Sequence, residues 1–158
     1  MKGVRLLDEG GDPAAALPLL SPGSLASTPL ADYARFYTGR ALLTLQRYAD
    51  AEAAFAAVAT RDIEGHLPED AAFGRAQARA AQPDFTGAVA IYEALGSRKL
   101  ASPHLALARL AAAAEQAGEV GKAVDAYRRV YYGYPLSTES TDAETALTRL
   151  NAWDEDDP

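Results

Sequence analysis

One pattern recurs four times along the 158-residue chain at a nearly constant interval. It runs from a turn to an aromatic or apolar residue, then x-x-Ala, then x-x-x-bulky. The copies are Gly11-Asp12-Pro13-x-x-Ala16-x-x-x-Leu20, Gln46-Arg47-Tyr48-x-x-Ala51-x-x-x-Phe55, Pro83-Asp84-Phe85-x-x-Ala88-x-x-x-Tyr92 and Gly118-Glu119-Val120-x-x-Ala123-x-x-x-Tyr127. The anchors Pro13, Tyr48, Phe85 and Val120 are 35, 37 and 35 residues apart. Self-similarity at such an interval marks a chain of stacked units, each burying a face against its neighbour. The residue types fit helices. Ala at the third position lets two antiparallel helices approach closely, and the bulky residue four further on lies on the same helix face. A preceding helix should supply its own small residue at the crossing. Gly39, Ala76 and Ala111 stand nine residues before Tyr48, Phe85 and Val120.

The interval is close to the about 34 residues of a tetratricopeptide repeat. The predicted fold is therefore all-α, a tetratricopeptide-like α-solenoid of antiparallel helix hairpins in one domain over 1–151. Hairpins are expected at about 2–20, 31–60, 68–95 and 102–132. A capping helix over 138–151 follows, and 152–158 is an acidic tail. Composition agrees: Ala is the commonest residue and has the best helix propensity, and β-branched residues are sparse. Thr28-Pro29 and Ser102-Pro103 read as N-cap plus first helical residue. Glu69 and Asp70 suit the positive end of a helix dipole. Gly11, Pro83 and Gly118 punctuate turns inside hairpins. Pro18 should shorten or kink the second helix. The stretch 21–30 reads as a loop, and Thr141-x-x-Glu144 as a capping box at the opening of the last helix. A shortened first hairpin and a lone last helix are the ends expected of a segment from a longer solenoid.

Charge and residue inventory exclude several functions. The formal charge is -7, and the basic residues are scattered, so nucleic acid is not an expected partner. There is no Cys, which removes disulfides and thiolate metal sites. No apolar run approaches the ~18 residues of a membrane span, and MKGVRLLDEGG lacks the apolar core of a signal peptide. His66 and His104 have no partner at metal-ligand spacing and read as surface residues, so no metal site is expected. Gly118-Glu119-Val120-Gly121-Lys122 has two residues between its glycines where a phosphate loop has four, and no strand precedes it. No cofactor is expected. Tyr131, Tyr132 and Tyr134, with Arg128 and Arg129, read as packing between repeats ahead of a sugar or peptide platform.

LADYARFYTGRALLTLQRYADAEAAF (30–55) and AVDAYRRVYYGYPLSTESTDAETAL (123–147) resemble the N-terminal helical region of soluble lytic murein transglycosylases. The run Tyr-Arg-Arg-Val-Tyr-Tyr-Gly-Tyr-Pro-Leu-Ser (127–137) carries most of that resemblance. It is also similar to periplasmic tetratricopeptide proteins, the outer-membrane assembly lipoproteins and the Tol-associated proteins. The resemblance implies a superhelical arm joined to a lysozyme-like domain that cleaves peptidoglycan, and a periplasmic location. It implies as partners a protein or peptide, an adjoining catalytic domain, and peptidoglycan. The alternative is a free-standing envelope adaptor. The family's Gly-Leu-Met-Gln motif is absent, since Met1 is the only methionine. Glu139-Ser140 matches its Glu-Ser dipeptide, but falls in the first turn of the last helix with nothing to build a cleft around the acid. No catalytic residue is expected. In such solenoids the first helix of each hairpin lines the groove. The register places Tyr33, Phe36, Arg40 and Thr44 there, then Asp70, Phe73 and Gln77, then Glu115.

Overall fold

The computed structural model describes residues 2–20, 23, 28, 30–59 and 66–153. Most of the expected loop 21–30 and residues 154–158 of the expected acidic tail lie outside them. Among the described residues the chain forms nine α-helices and no strand: α1 (Lys2–Asp8), α2 (Pro13–Leu20), α3 (Leu30–Thr44), α4 (Tyr48–Ala59), α5 (Leu67–Ala80), α6 (Phe85–Gly96), α7 (Pro103–Gln116), α8 (Val120–Gly133) and α9 (Thr138–Leu150). The chain divides into two compact units, Met1–Asp84 and Phe85–Pro158. The helices α5 and α6 of the hairpin expected over 68–95 thus fall in different units.

In the first unit, consecutive helices pack on one another from α1 to α5, and the first helices also meet, α1 with α3 and α3 with α5. The repeat pattern explains the fit. Ala16 and Ala51, the third-position alanines, are fully buried. Phe55, the bulky residue of the second copy, is buried between two glycines. A Cβ added to Gly39 of α3 would lie 2.8 Å from its ring, and one added to Gly74 of α5 would lie 2.6 Å from it. Three helices therefore close on one aromatic ring, with Leu42, Ala51, Val58, Leu67 and Ala71 completing the cluster. A smaller cluster of Ala16, Leu20 and Ala41 joins the first hairpin to α3. Glu52 of α4 fastens α5 from the flank, accepting from Arg75 at 2.7 Å and Arg79 at 3.3 Å. Those guanidinium bonds hold its carboxyl below the ordinary range, against partial burial. Pro18 lies inside α2, which spans only 8 residues.

In the second unit α6 packs on α7, α7 on α8, and α9 on both α8 and α7. The buried alanines Ala88, Ala111, Ala114 and Ala123 again mark where helices close. The last helix opens earlier than Thr141-x-x-Glu144 predicts. Ser137 is its N-cap, with its hydroxyl accepting from the Ser140 N–H at 3.2 Å. Thr141 sits one turn inside, where its carbonyl accepts from the Thr145 hydroxyl. Ser102 holds the N-cap position of α7 with Pro103 following, but its side chain accepts no capping bond.

The repeat also shows in how the helices end. After α1, α3, α7 and α9 a residue with positive φ follows the last turn: Gly10 (74°), Gln46 (58°), Gly118 (78°) and Asn151 (47°). Each donates to a carbonyl three residues back, and the next residue donates five back, as Arg47 to Leu42 at 2.9 Å and Glu119 to Ala114 at 2.8 Å. This double bond pair satisfies the last carbonyls of the helix. It also ends α3 at Thr44. After α5 the equivalent position is Pro83, which has no N–H, and only the longer bond survives, from Asp84 to Arg79 at 3.0 Å. Of the two caps made with a side chain, Asn151 suits the left-handed region and Gln46 is the strained one. Gln46→Gly should raise stability in urea unfolding by about 0.5–1 kcal/mol, since a left-handed residue with a Cβ costs about that much more than glycine even after glycine's extra chain entropy. No gain would mean that the Gln46 side chain stabilises the turn.

Candidate functional site

The first unit carries an open groove between α1 and α3 of about 550 Å³, lined by Val4, Arg5, Asp8, Glu9, Leu30, Tyr33 and Tyr37. Its position follows from helix spacing. Tyr33 and Tyr37 are four apart on α3, so their rings follow one another along one face. Leu30 and Tyr33 are each 48% exposed, and they are two neighbouring members of the six large apolar side chains left this open among the described residues. The charges at the groove are already matched within the protein. Arg5 pairs with Glu9 at 2.8 Å and Arg40 with Asp8 at 3.2 Å. The Arg40 guanidinium also stands over the Tyr37 ring, 5.0 Å from its centre. The free character of the groove is therefore apolar and aromatic.

The eight residues expected to line a groove divide among several roles. Tyr33 lines this one, and Arg40 ties its two helices together. Phe36 is half-buried and faces inward, its ring 5.8 Å from Phe55 and 5.5 Å from Tyr37. Thr44 is exposed and donates its hydroxyl to the Arg40 carbonyl at 3.1 Å. Asp70, Phe73 and Gln77 follow one face of α5, with Asp70 and Gln77 exposed and Phe73 half-buried, and none of them lines the α1–α3 groove. Desolvation and the neighbouring Glu69 raise the Asp70 carboxyl above its ordinary value, with His66 opposing. Glu115 belongs to the second unit, where it is an internal fastener. Leu30, Tyr37 and the α1 residues were not singled out by the repeat register. The i, i+4 pair Tyr33 and Tyr37 was the one available signal.

Glu115 of α7 forms an ion pair with Arg149 of α9 at 2.6 Å and accepts the Tyr127 hydroxyl of α8 at 3.1 Å. One carboxylate thus joins three helices. The bonds from Arg149 and Tyr127 hold it below the ordinary Glu range, against partial burial. Burial first, then the bond to Glu115, push the Tyr127 phenol up to about 12. The two groups act at opposite ends of the pH scale. A depressed carboxyl contributes stability above its ordinary range and loses it as acid protonates the folded form. A raised phenol contributes below its ordinary pKa of 10 and loses it as pH rises toward 12. The difference between absorbance titrations of the wild type and Tyr127→Phe should show one phenol ionising near 12. Glu115→Gln should bring that midpoint down, and an unmoved midpoint would mean that burial alone sets it.

The run that carries the transglycosylase resemblance is occupied in the same packing. Tyr127 and Val130 are buried. Arg128 donates twice to the Ala152 carbonyl, at 2.8 and 3.1 Å. Tyr131 packs edge-on against Trp153 and Tyr132, each ring centre 5.1 Å away. Tyr134 lies against His104, 5.6 Å between ring centres, and the His104 Nε2 is 3.8 Å from Glu139. His104 is therefore a half-buried contact between α7 and α9, in place of the surface position its sequence suggests. His66 is exposed at the N-cap of α5. Among the described residues no group of three His, Cys, Asp or Glu could hold a metal ion, and no helix is long and apolar enough to cross a membrane.

Repeated helix hairpins, the first two of which form an aromatic groove between α1 and α3, define a helical-repeat scaffold. The tetratricopeptide repeat family model matches residues 1–66 and 46–99, and the chain belongs to that family. The fourth copy of the pattern, ending at Tyr127, lies beyond the matched residues and falls on the α7–α8 pair of the second unit. Neither the curated proteins nor the solved structures hold a significant match to the chain. Tetratricopeptide repeats point to protein partners.

Proposed function

We propose that the chain holds an apolar or aromatic-bearing segment of a protein partner in the α1–α3 groove, as the non-catalytic helical arm of a lytic-transglycosylase-like protein of the bacterial envelope. The observation that carries the binding reading is the half-exposed Tyr33 beside Leu30 and Tyr37, in a groove whose charges pair with one another. An aromatic ridge with no unmatched charge favours a partner that covers rings, because burying those surfaces is the main gain available. The arm reading is supported by the 127–137 run and by the 30–55 segment, which resemble that family. The alternative is a free-standing adaptor of the envelope, for which the same groove serves.

The gene sequence on either side separates these. A following lysozyme-like domain with Glu-Ser and Gly-Leu-Met-Gln motifs supports the arm, and a stop codon directly after Pro158 leaves the adaptor. Sedimentation with purified murein sacculi tests the groove itself. Binding that disappears in Tyr33→Ala and Tyr37→Ala would make the groove a glycan site and remove the polypeptide reading. Phe36→Ala is unsuitable as a groove probe, because that ring supports Phe55.

A further inference from the structure

We propose that a second groove, in the unit Phe85–Pro158, takes an acidic segment of a protein partner, with that segment's apolar side chains on the groove floor and its carboxylates at Arg98 and Arg129. The groove measures about 500 Å³ and runs between α6 and α8, with α7 beneath. That volume falls in the range of about 300–1,000 Å³ typical of ligand sites. Its floor is Ala106, Leu107 and Leu110 of α7 with Ala126 of α8, all buried. The floor is therefore held by the fold before any partner arrives.

Charge is unevenly spread along the groove. Toward one end Lys122 of α8 reaches Glu93 of α6 at 2.8 Å and Glu119 at 2.7 Å, so it crosses from wall to wall and is fully matched. Arg129 stands seven residues beyond Lys122 on α8, about two turns along. Arg98 stands five residues beyond Glu93, just past the end of α6. Both guanidiniums are exposed, line the groove and form no ion pair with a described residue. Asp125 is the one unmatched carboxylate among the lining residues. Glu93 and Glu119 share the one Lys122 ammonium, which leaves a carboxylate in excess there, whereas Arg98 and Arg129 against Asp125 make the other end locally positive, on a chain whose formal charge is -7. Guanidinium forks take carboxylates with two parallel bonds, and the adjoining floor rewards apolar side chains. A small anion would leave the floor uncovered, and a nucleic acid would meet an acidic protein. The α1–α3 groove differs in kind, since its arginines are already paired.

Fluorescence anisotropy on the whole chain tests this, with a fluorescein-labelled decapeptide of alternating Glu and Leu as the probe. Peptides with Gln or Lys in place of Glu are the controls. The Glu peptide should bind with an affinity that falls as salt rises, and the Gln peptide should bind about tenfold more weakly. Arg98→Glu with Arg129→Glu should cost about tenfold or more, with the circular dichroism spectrum unchanged because both side chains are exposed. Tyr33→Ala should leave this binding intact. Amide shifts on peptide addition should centre on Arg98, Leu107, Ala126 and Arg129. Equal affinity for the Gln peptide, binding that survives the double reversal, or shifts centred on the α1–α3 groove would each overturn the proposal. So would self-association abolished by the double reversal without any effect on peptide, which would make the groove an interface between copies.

Discussion

Phe55→Ala should cost about 3–5 kcal/mol, the largest loss from any single substitution in the first unit. The ring is 1% exposed and is enclosed by glycines on two helices. Large-to-small changes combine lost transfer energy with a cavity term, and the cavity term depends on how far the surroundings collapse. Here collapse is limited. Gly39 and Gly74 have no side chains to move inward, and the backbones of α3 and α5 are held by Val58, Leu67 and Ala71 in the same cluster. Urea unfolding followed at 222 nm should show the midpoint falling steeply. A loss below about 1 kcal/mol, the ordinary cost of a point substitution, would mean that the ring is not the element that joins three helices.

Gly74→Ala should destabilise the protein by about 1–3 kcal/mol, although replacing helical glycine with alanine normally helps. The helix preference gains about 1 kcal/mol. Against it, the new methyl would lie 2.6 Å from the Phe55 ring, and Gly39 brackets the ring on its other side, 2.8 Å from an added Cβ. A rigid ring with both faces occupied cannot turn away, so a backbone shift of α5 must absorb the overlap, and such overpacking costs about 1–3 kcal/mol. The overlap should win. The pair is also expected to be strongly non-additive: in the background of Phe55→Leu, Gly74→Ala should be neutral or stabilising, because the overlap is gone and the propensity gain remains. Additive losses in the double variant would place the strain elsewhere.

The sequence revealed what depends on neighbours a few residues apart, and hid what depends on distant ones. The recurrence of Ala51 and Phe55, or Ala123 and Tyr127, was visible because both residues share one helix face. Gly39 was visible through its fixed distance from Tyr48. Gly74 was not, because Ala76 already filled the expected small position and nothing local shows that Phe55 reaches α5. The turns after α1 and α7 announced themselves with glycine, whereas Gln46 makes the same turn with no such signal. Among candidate groove residues, periodicity cannot choose between Phe36 and Tyr37, which stand one residue apart. The choice is made by Phe55, which draws Phe36 inward and leaves Tyr37 to the groove. Glu115 looked like a groove residue because its partner Arg149 lies 34 residues away on another helix. The groove between α6 and α8 was illegible for a similar reason: Arg98 sits in a short connection, and only packing brings it to the groove that Arg129 also lines.

The central proposal for this chain is that the aromatic groove between α1 and α3 holds a polypeptide. Site-specific photo-crosslinking in the producing cell reads this directly. The photoreactive amino acid p-benzoylphenylalanine is placed at Tyr33, and in a control protein at Gln116, which is exposed on α7 in the other unit. Mass spectrometry then identifies the adducts. A polypeptide in the groove should give a discrete protein adduct from position 33, carried on one stretch of the partner's sequence and absent from position 116. Adducts of murein fragments alone at position 33, or the same proteins captured from both positions, would contradict it.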